Sequence, residues 1–186
     1  VKIIMILKVM ALSQGLSGLC NTVIERLCDL INHQIFPCIP AKGSVGASGD
    51  LAPLAHLSQV LIGEGQASYK GEVISAQKAL QLCSLEPLKL GPKEGLALLN
   101  GTQVSTAIAI SAYFEVENLF QAAIYAGALT VDAIKGSQKP FDSRIHNARG
   151  HHGQIVVAKK LKSLLKGSEI MTSHDNCDRV QDPYSI

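Results

Sequence analysis

Residues 102–134 read TQVSTAIAISAYFEVENLFQAAIYAGALTVDAI and contain only three charged side chains. Asn100-Gly101 just before this segment is a strong turn signal, because both residues accept a positive φ. Gly136 follows the segment and ends it. The pattern predicts one long helix. Its apolar, Ala- and Ser-rich composition is typical of a helix packed on several sides, which places the chain in the all-α class as a bundle of long helices.

Residues 95–114 form a run of 20 residues without a charge, which is long enough to span a bilayer. The run nevertheless contains Asn, Gln, Ser and Thr side chains, and it lacks the aromatic and basic flanks of a spanning helix. Burial inside a helical core is the favoured interpretation. We therefore expect no membrane partner.

The composition excludes several functional classes. Of the 186 residues 47% are hydrophobic and 17% are charged, which excludes a disordered tail. With 4% aromatic residues and a net charge of +2, the chain lacks the stacking side chains and the basic surface that nucleic-acid binding needs. So few charges cannot cover the surface of a small monomer, so we expect an oligomer.

The cysteines and the chain ends give two further expectations. Five cysteines without a C-x-x-C pair and without a signal peptide indicate free, buried thiols in a reducing compartment, and hence a cytoplasmic protein. The chain starts at Val1 within an apolar helical run. We therefore interpret residues 1–186 as a single fragment from the interior of a larger all-α domain, truncated at both ends.

Other local signals divide the rest of the chain into short elements. Thr22-x-x-Glu25 fits a capping box that would start the second helix. Asp50 is placed to cap a helix that runs to about residue 61. The remaining elements are an initial helix over 1–12, a hairpin or turn over 68–74, a short helix over 75–83, an irregular loop over 136–153, a helix over 154–165 and a polar tail over 168–186.

Residues 41–50, AKGSVGASGD, form the densest glycine cluster of the chain. Its spacing matches neither a dinucleotide-binding nor a phosphate-binding loop, nor the G-x-S-x-G turn of a serine hydrolase. The simplest interpretation is a tight structural loop ended by Asp50. The six histidines form no recognisable ligand set, and His174-x-x-Cys177 has a ligand-like gap but no second pair, so no metal is expected.

A second interpretation of this loop is chemical. Protein side chains supply nucleophiles, acids and bases but almost no strong electrophiles. A backbone can cyclise where an unhindered amide nitrogen reaches the carbonyl two residues back, and Ala47, Ser48 and Gly49 are small enough to allow this. Loss of water from Ser48 would then leave a conjugated methylene. The helix N-terminus after Asp50 would favour electron uptake by such a ring.

Three motifs give this second interpretation a precedent. They are GSVGASGDLAPLAH at 43–56, GPKEGLALLNGTQ at 91–103 and SH with CDRVQDPYS over 173–185. In this order and spacing, the chain resembles the aromatic amino acid ammonia-lyases over essentially all of its 186 residues. The resemblance implies the central part of the helical fumarase/aspartase-like fold and a homotetramer with shared active sites.

The resemblance also implies a cofactor and site residues. Ala47, Ser48 and Gly49 would condense into a 4-methylidene-imidazol-5-one (MIO) group, without a metal. Asn100 and Gln181 would make polar contacts with that group or the substrate, and Tyr184 would orient the substrate or take part in proton transfer. The family's tyrosine loop and carboxylate-binding arginine would lie outside residues 1–186, so we expect these residues alone to be inactive.

The resemblance implies an aromatic amino acid as the substrate. The sequence APLAH at 52–56 favours the histidine-specific branch of the family, which releases ammonia from L-histidine and leaves urocanate. A phenylalanine or tyrosine ammonia-lyase or aminomutase is the alternative with the same chemistry. A helical scaffold without catalytic activity is the alternative from a different class.

Overall fold

The computed structural model describes residues 1–173 and residue 178. These residues are mainly helical, which confirms the predicted fold class. The α-helices are α1 (Lys2–Leu12), α2 (Asn21–Asn32), α3 (Leu51–Leu61), α4 (Ala76–Leu82), α5 (Glu94–Leu99), α6 (Gln103–Ala133), α7 (Ser143–Arg149), α8 (His152–Leu165) and α9 (Glu169–Ser173). The other elements are a 3₁₀ helix, Lys139–Phe141, and the strands β1 (Phe36–Pro37), β2 (Gln66–Tyr69) and β3 (Glu72–Ser75).

The three short strands form one antiparallel sheet in the order β1-β2-β3. The expected hairpin is formed by β2 and β3, with Gln66 opposite Ser75 and Tyr69 opposite Glu72. Ser75 then starts α4, because its hydroxyl accepts a hydrogen bond from the Lys78 amide at 3.3 Å. The sheet is a small addition to the helical fold: β1 follows α2, and β2 and β3 connect α3 to α4.

The chain divides into two compact units, Val1–Ala112 and Tyr113–Ile186. In the first unit, α1 to α5 and the start of α6 surround one apolar core. Its fully buried members include Met5, Leu27, Leu30, Leu54, Leu57, Leu61, Leu80 and Leu98. In the described part of the second unit, Ala128, Leu165 and Met171 form a smaller core.

The start of α2 differs from its prediction. The helix begins at Asn21 with Cys20 in the capping position, and no side chain there makes a capping hydrogen bond. Thr22 lies inside the first turn, so the predicted Thr22-x-x-Glu25 box is wrong. The Cys20 amide donates instead to the Glu94 carboxylate, which replaces a local cap with a distant one.

The predicted irregular loop over 136–153 is also wrong in its centre. The structure forms the 3₁₀ helix and α7 there. Asp142 starts α7 by accepting a hydrogen bond from the Arg144 amide at 3.0 Å, and Gly150 ends it at a φ of +71°. Both end signals are present in the sequence, but the helix between them has only seven residues and no clear apolar stripe.

Two further expectations are that the chain has no membrane-spanning helix and that its cysteines are free, buried thiols. No helix in the described residues has both the length and the apolarity to cross a bilayer. Four cysteines are free thiols: Cys20 is exposed, and Cys28, Cys38 and Cys83 are half-buried. The expectation that these thiols are buried is therefore wrong for the four described cysteines. Cys177 lies outside the described residues.

Glu94 joins two loops to the start of α5. Its side chain is buried, and its carboxylate accepts hydrogen bonds from the Cys20 amide at 2.8 Å and the Gly91 amide at 2.6 Å. These backbone donors, Cys20 first, lower the pKa of Glu94 below its ordinary value of 4.5. The ionised carboxylate therefore stabilises the folded chain above that pH, and the stabilisation is lost as the pH falls through the lowered pKa.

We expect Glu94→Gln to lower the melting temperature of the full-length protein at pH 7, because an amide nitrogen would then face one of the two backbone donors. The deficit should shrink at pH 4, because the Glu94 carboxylate of the unfolded chain, with its ordinary pKa of 4.5, then takes up a proton while the lowered pKa still keeps that of the folded chain ionised. Scanning calorimetry at both pH values measures it. Glu72→Gln, at an exposed site on β3, is the control. A Glu94→Gln deficit of equal size at pH 4 and pH 7 would contradict the assignment.

Candidate active site

The glycine loop turns sharply at Ala47 and Ser48. Ser48 has a φ of +57° and Gly49 a φ of +94°, so two consecutive residues adopt backbone conformations that L-residues rarely take. Ala47 and Ser48 are exposed, and Gly49 is half-buried. The turn thus presents the two side chains outward while the backbone after Ser48 runs into the fold.

Gly49 packs directly on the backbone of Gly101. A Cβ atom at Gly49 would lie 2.5 Å from the Gly101 carbonyl oxygen, so any other residue would force the two segments apart. The next amide, of Asp50, donates to the same carbonyl at 2.9 Å. The structure therefore brings the 47–49 turn against the Asn100-Gly101 turn, although about 50 residues separate them in the sequence.

Asp50 occupies the predicted position before α3, but its side chain does not cap that helix. One carboxylate oxygen accepts hydrogen bonds from the Val104 amide at 3.0 Å, the Ser105 amide at 2.8 Å and the Ser105 hydroxyl at 2.9 Å. Val104 and Ser105 are the second and third residues of α6, so Asp50 caps α6 across space. The prediction that Asp50 caps a helix is therefore confirmed, but the helix that it caps is α6 and not α3.

The fold rather than the local sequence selects this partner. Asp50 is 5% exposed, and a buried carboxylate needs several donors to offset the loss of water. The free amides at the start of α6 supply them, together with the positive end of the helix dipole. The first amides of α3 receive no side-chain cap and lie next to the 47–49 turn in the sequence.

Asn100 ends α5 and leads into α6. Its φ is −84°, so of the Asn100-Gly101 pair only Gly101, at +135°, uses the positive φ that the sequence suggested for both. The Asn100 side chain is exposed, and its Nδ2 atom donates to the Leu96 carbonyl at 2.7 Å. This bond leaves the side-chain oxygen of Asn100 available on the surface of the turn.

Lys8 is a buried residue beside this site that the sequence analysis missed. It is 1% exposed, and its ammonium donates to the Ala97 carbonyl at 2.9 Å and to the Asn100 carbonyl at 2.6 Å. Burial lowers the pKa of Lys8 to about 8. A neutral amine still carries two N–H donors, so both bonds can form on either side of that pKa.

Gln103 is a second missed residue. Its side-chain amide packs against Gly101. Its Oε1 atom is buried and has no hydrogen-bond partner among the described residues. The sequence gives no signal for this, because a glutamine in the first turn of a helix is ordinarily solvated.

Two predicted site residues, Gln181 and Tyr184, lie outside the described residues, as do His174 and Cys177. Ala47, Ser48, Gly49 and Asn100 are described and belong to the two turns joined at Gly101. Within residues 1–173 and residue 178, no cluster of three or more His, Cys, Asp or Glu side chains is arranged to hold a metal ion.

The geometry at the two turns fits a backbone-derived electrophile. Ring closure needs a small residue at the attacking amide, and the Gly101 carbonyl leaves room for nothing larger at Gly49. It also needs a turned backbone, which the positive φ values of Ser48 and Gly49 supply. The side chain that would lose water, Ser48, is exposed on the turn.

Comparisons with known proteins identify the family of the chain. The family model described as aromatic amino acid lyase matches residues 1–186. Histidine ammonia-lyase from Legionella pneumophila (strain Paris) is 58% identical over 186 residues, which are 100% of this chain and 37% of that protein.

Two solved structures share the fold. Ergothionase from Treponema denticola, an ergothioneine-degrading enzyme, has a TM-score of 0.93 at 30% identity over 100% of this chain and 37% of its own. Phenylalanine aminomutase from Pantoea agglomerans has a TM-score of 0.86 at 32% identity over 98% and 37%. The chain thus spans little more than a third of the length of these relatives. By its sequence and its fold, the chain belongs to the aromatic amino acid lyase family.

Proposed function

We propose that the full-length protein containing this chain is a histidine ammonia-lyase, which eliminates ammonia from L-histidine without oxidation and releases urocanate. The observation that carries the chemistry is the left-handed Ser48-Gly49 turn packed on Gly101. The choice of histidine is supported by the 58% identity to an enzyme of that name. In this proposal, residues 1–186 are the central part of a larger all-α catalytic domain.

The proposed prosthetic group is MIO, formed by Ala47, Ser48 and Gly49 without a metal. The Gly49 nitrogen would bond to the Ala47 carbonyl carbon, and that carbonyl oxygen would leave as water with the amide hydrogens of Gly49 and Ser48. The Ser48 hydroxyl leaves as a second water with the proton of its own α-carbon. The condensed group would supply the electrophile that activates the amino group for departure, which protein side chains lack.

The chain's own residues hold this site in place. Asp50 fixes the turn through its amide and α6 through its carboxylate. The α3 amides, which Asp50 leaves uncapped, offer partial positive charge next to the turn. Asn100 would give a polar contact to the group or the substrate. Gln181 would serve in the same way, and Tyr184 would orient the substrate or move a proton.

The exposed side of α6 supports a homotetramer. Among the residues of α6 that belong to the second unit, large apolar side chains are more than half exposed, including Tyr113, Phe114, Val116, Leu119, Phe120 and Leu129. A surface of this kind needs a protein partner. We propose that other subunits cover it, that active sites are shared between subunits, and that the enzyme is cytoplasmic. Residues 1–186 alone would then not turn over histidine.

One alternative keeps the chemistry and changes the substrate. Phenylalanine aminomutase shares the fold of this segment at a TM-score of 0.86, so the two turns do not by themselves choose the side chain. Its 32% identity is well below the 58% of the Legionella enzyme, which favours histidine. An assay of urocanate against cinnamate and coumarate on the full-length protein separates these substrates.

Ser48→Ala tests the proposed electrophile. The wild-type full-length protein should be lighter than its sequence by two water molecules in intact-mass measurements, and it should form urocanate. Ser48→Ala removes the hydroxyl that would leave as water. The variant should therefore lack the condensed group and lose activity by several orders of magnitude. Ser44→Ala, in the same loop, is the control. An unmodified wild-type mass would support the non-catalytic scaffold instead.

Gly49→Ala tests the contact with Gly101. The added Cβ would meet the Gly101 carbonyl oxygen, so we expect loss of both the condensed mass and the activity. Gly43→Ala and Gly46→Ala are matched controls, because their φ values of +132° and +69° bracket that of Gly49 and their Cβ atoms would meet nothing within 4 Å. All three variants place a side chain at a positive φ, which costs on the order of 1–3 kcal/mol at each position. Equal losses in all three would attribute the effect to strain rather than to the contact.

A further inference from the structure

Lys8 is the one buried lysine among the described residues, and its two bonds explain why it is there. It lies on α1 between the buried residues Met5 and Leu12. Burying an ammonium costs several kcal/mol unless strong acceptors replace water. Ala97 and Asn100 supply those acceptors through the last carbonyls of α5, which have no helical partner and lie at the negative end of the helix.

The bond to Asn100 fixes one particular peptide. The Asn100 carbonyl belongs to the peptide that joins Asn100 to Gly101, and Lys8 holds it from α1 at 2.6 Å. The next peptide, through the Gly101 carbonyl, is held from the other side by the Asp50 amide at 2.9 Å. Two successive peptides are thus fixed by two groups that are distant in the sequence.

These peptides connect the two parts of the proposed site, which are the 47–49 turn and the Asn100 side chain. Gly49 packs on the Gly101 carbonyl, so the position of Gly101 sets the position of the 47–49 turn. Asn100 is attached to the same unit, and its Nδ2 atom bonds the α5 carbonyl of Leu96. A shift of the Asn100-Gly101 peptide would therefore change the placement of the Asn100 side chain relative to the turn.

We propose that Lys8 is a positioning residue for the reaction: its ammonium fixes the Asn100-Gly101 peptide, and this holds Asn100 in register with the 47–49 turn. Both hydrogen bonds of the Lys8 side chain go to backbone carbonyls, so its proposed action on the site passes through the Asn100-Gly101 peptide. The inference rests on the proposed function, because it gives Asn100 a task beside the electrophile.

The test compares Lys8→Met, Lys8→Arg and the control Lys2→Met in the full-length protein. Lys8→Met keeps the apolar stem and removes the donor, Lys8→Arg keeps a cationic donor, and Lys2 is exposed on the same helix. Where Lys8→Met does not assemble, Lys8→Gln takes its place: its uncharged donor ends one bond short of the lysine Nζ, so it should hold the Asn100-Gly101 peptide less closely and lower kcat in the same direction. Activity is expressed per condensed site, counted by intact mass, so that a smaller folded fraction does not lower it.

We expect Lys8→Met to lower kcat per condensed site on the order of 10- to 100-fold with a smaller change in KM, because misplacement of a group by about 1 Å has effects of this size. Lys8→Arg should recover most of the loss, and Lys2→Met should behave as wild type. A purely structural lysine would lower the melting temperature and leave kcat per condensed site unchanged, and that result would overturn the proposal.

Hydrogen exchange gives a second readout that needs no activity. Lys8→Met should speed exchange of the Asp50 amide, which bonds Gly101, and leave the Ala76 amide, which bonds Gly65, unchanged. Unchanged exchange at Asp50 would also overturn the proposal. A wild-type protein with neither condensed mass nor turnover would overturn the proposed function instead, and the exchange of Asp50 would still decide whether Lys8 fixes the turn.

Discussion

The site depends on the contact between Gly49 and the Gly101 carbonyl. This contact sets how closely the two turns approach, and a side chain at position 49 would separate them. The Asp50 amide and carboxylate then bond the Gly101 carbonyl and the start of α6. Since about 50 residues lie between the two segments, closing this loop costs conformational entropy that a single backbone bond would not offset. The buried carboxylate, with three donors on one oxygen, adds to the compensation that apolar burial in the core provides.

Buried charges, rather than apolar side chains, hold the loops around the site. Among the described residues, the buried charged side chains are Lys8, Asp50 and Glu94, and each of them bonds backbone groups at or beside a helix end. Such ends carry unpaired amides or carbonyls and a partial charge from the helix dipole. A side chain of opposite charge therefore supplies the missing hydrogen bonds and interacts favourably with the dipole. Apolar contacts could not specify the orientation of a peptide plane, because they are not directional. A site that needs defined peptide orientations is therefore served by charges even at the cost of their desolvation.

The parts of the fold that the sequence predicted are those with local causes. The long helix α6 follows from its mostly apolar composition without a proline, and the hairpin of β2 and β3 follows from the polar turn between them. The two failures at helix caps have one physical origin. Thr22 and Asp50 have the residue types of a helix cap, but each cap is decided by a partner elsewhere in the chain. Capping preference is worth only about 1 kcal/mol, which tertiary hydrogen bonds readily exceed. For the site, the motif places Ser48 and Asn100, and only the fold brings their turns together.

The missed lysine shows what kind of signal could have been used. Met5, Lys8 and Leu12 are spaced by three and four residues, which places Lys8 on the buried face of α1 rather than on its exposed side. A charge at such a position must either move its end to solvent or find buried acceptors. The side chain of Lys8 takes the second course and reaches the end of α5. Helical spacing alone thus predicts that Lys8 has a buried partner. It cannot name that partner, because Ala97 and Asn100 act through carbonyl groups that every residue possesses, and backbone acceptors leave no mark on a sequence.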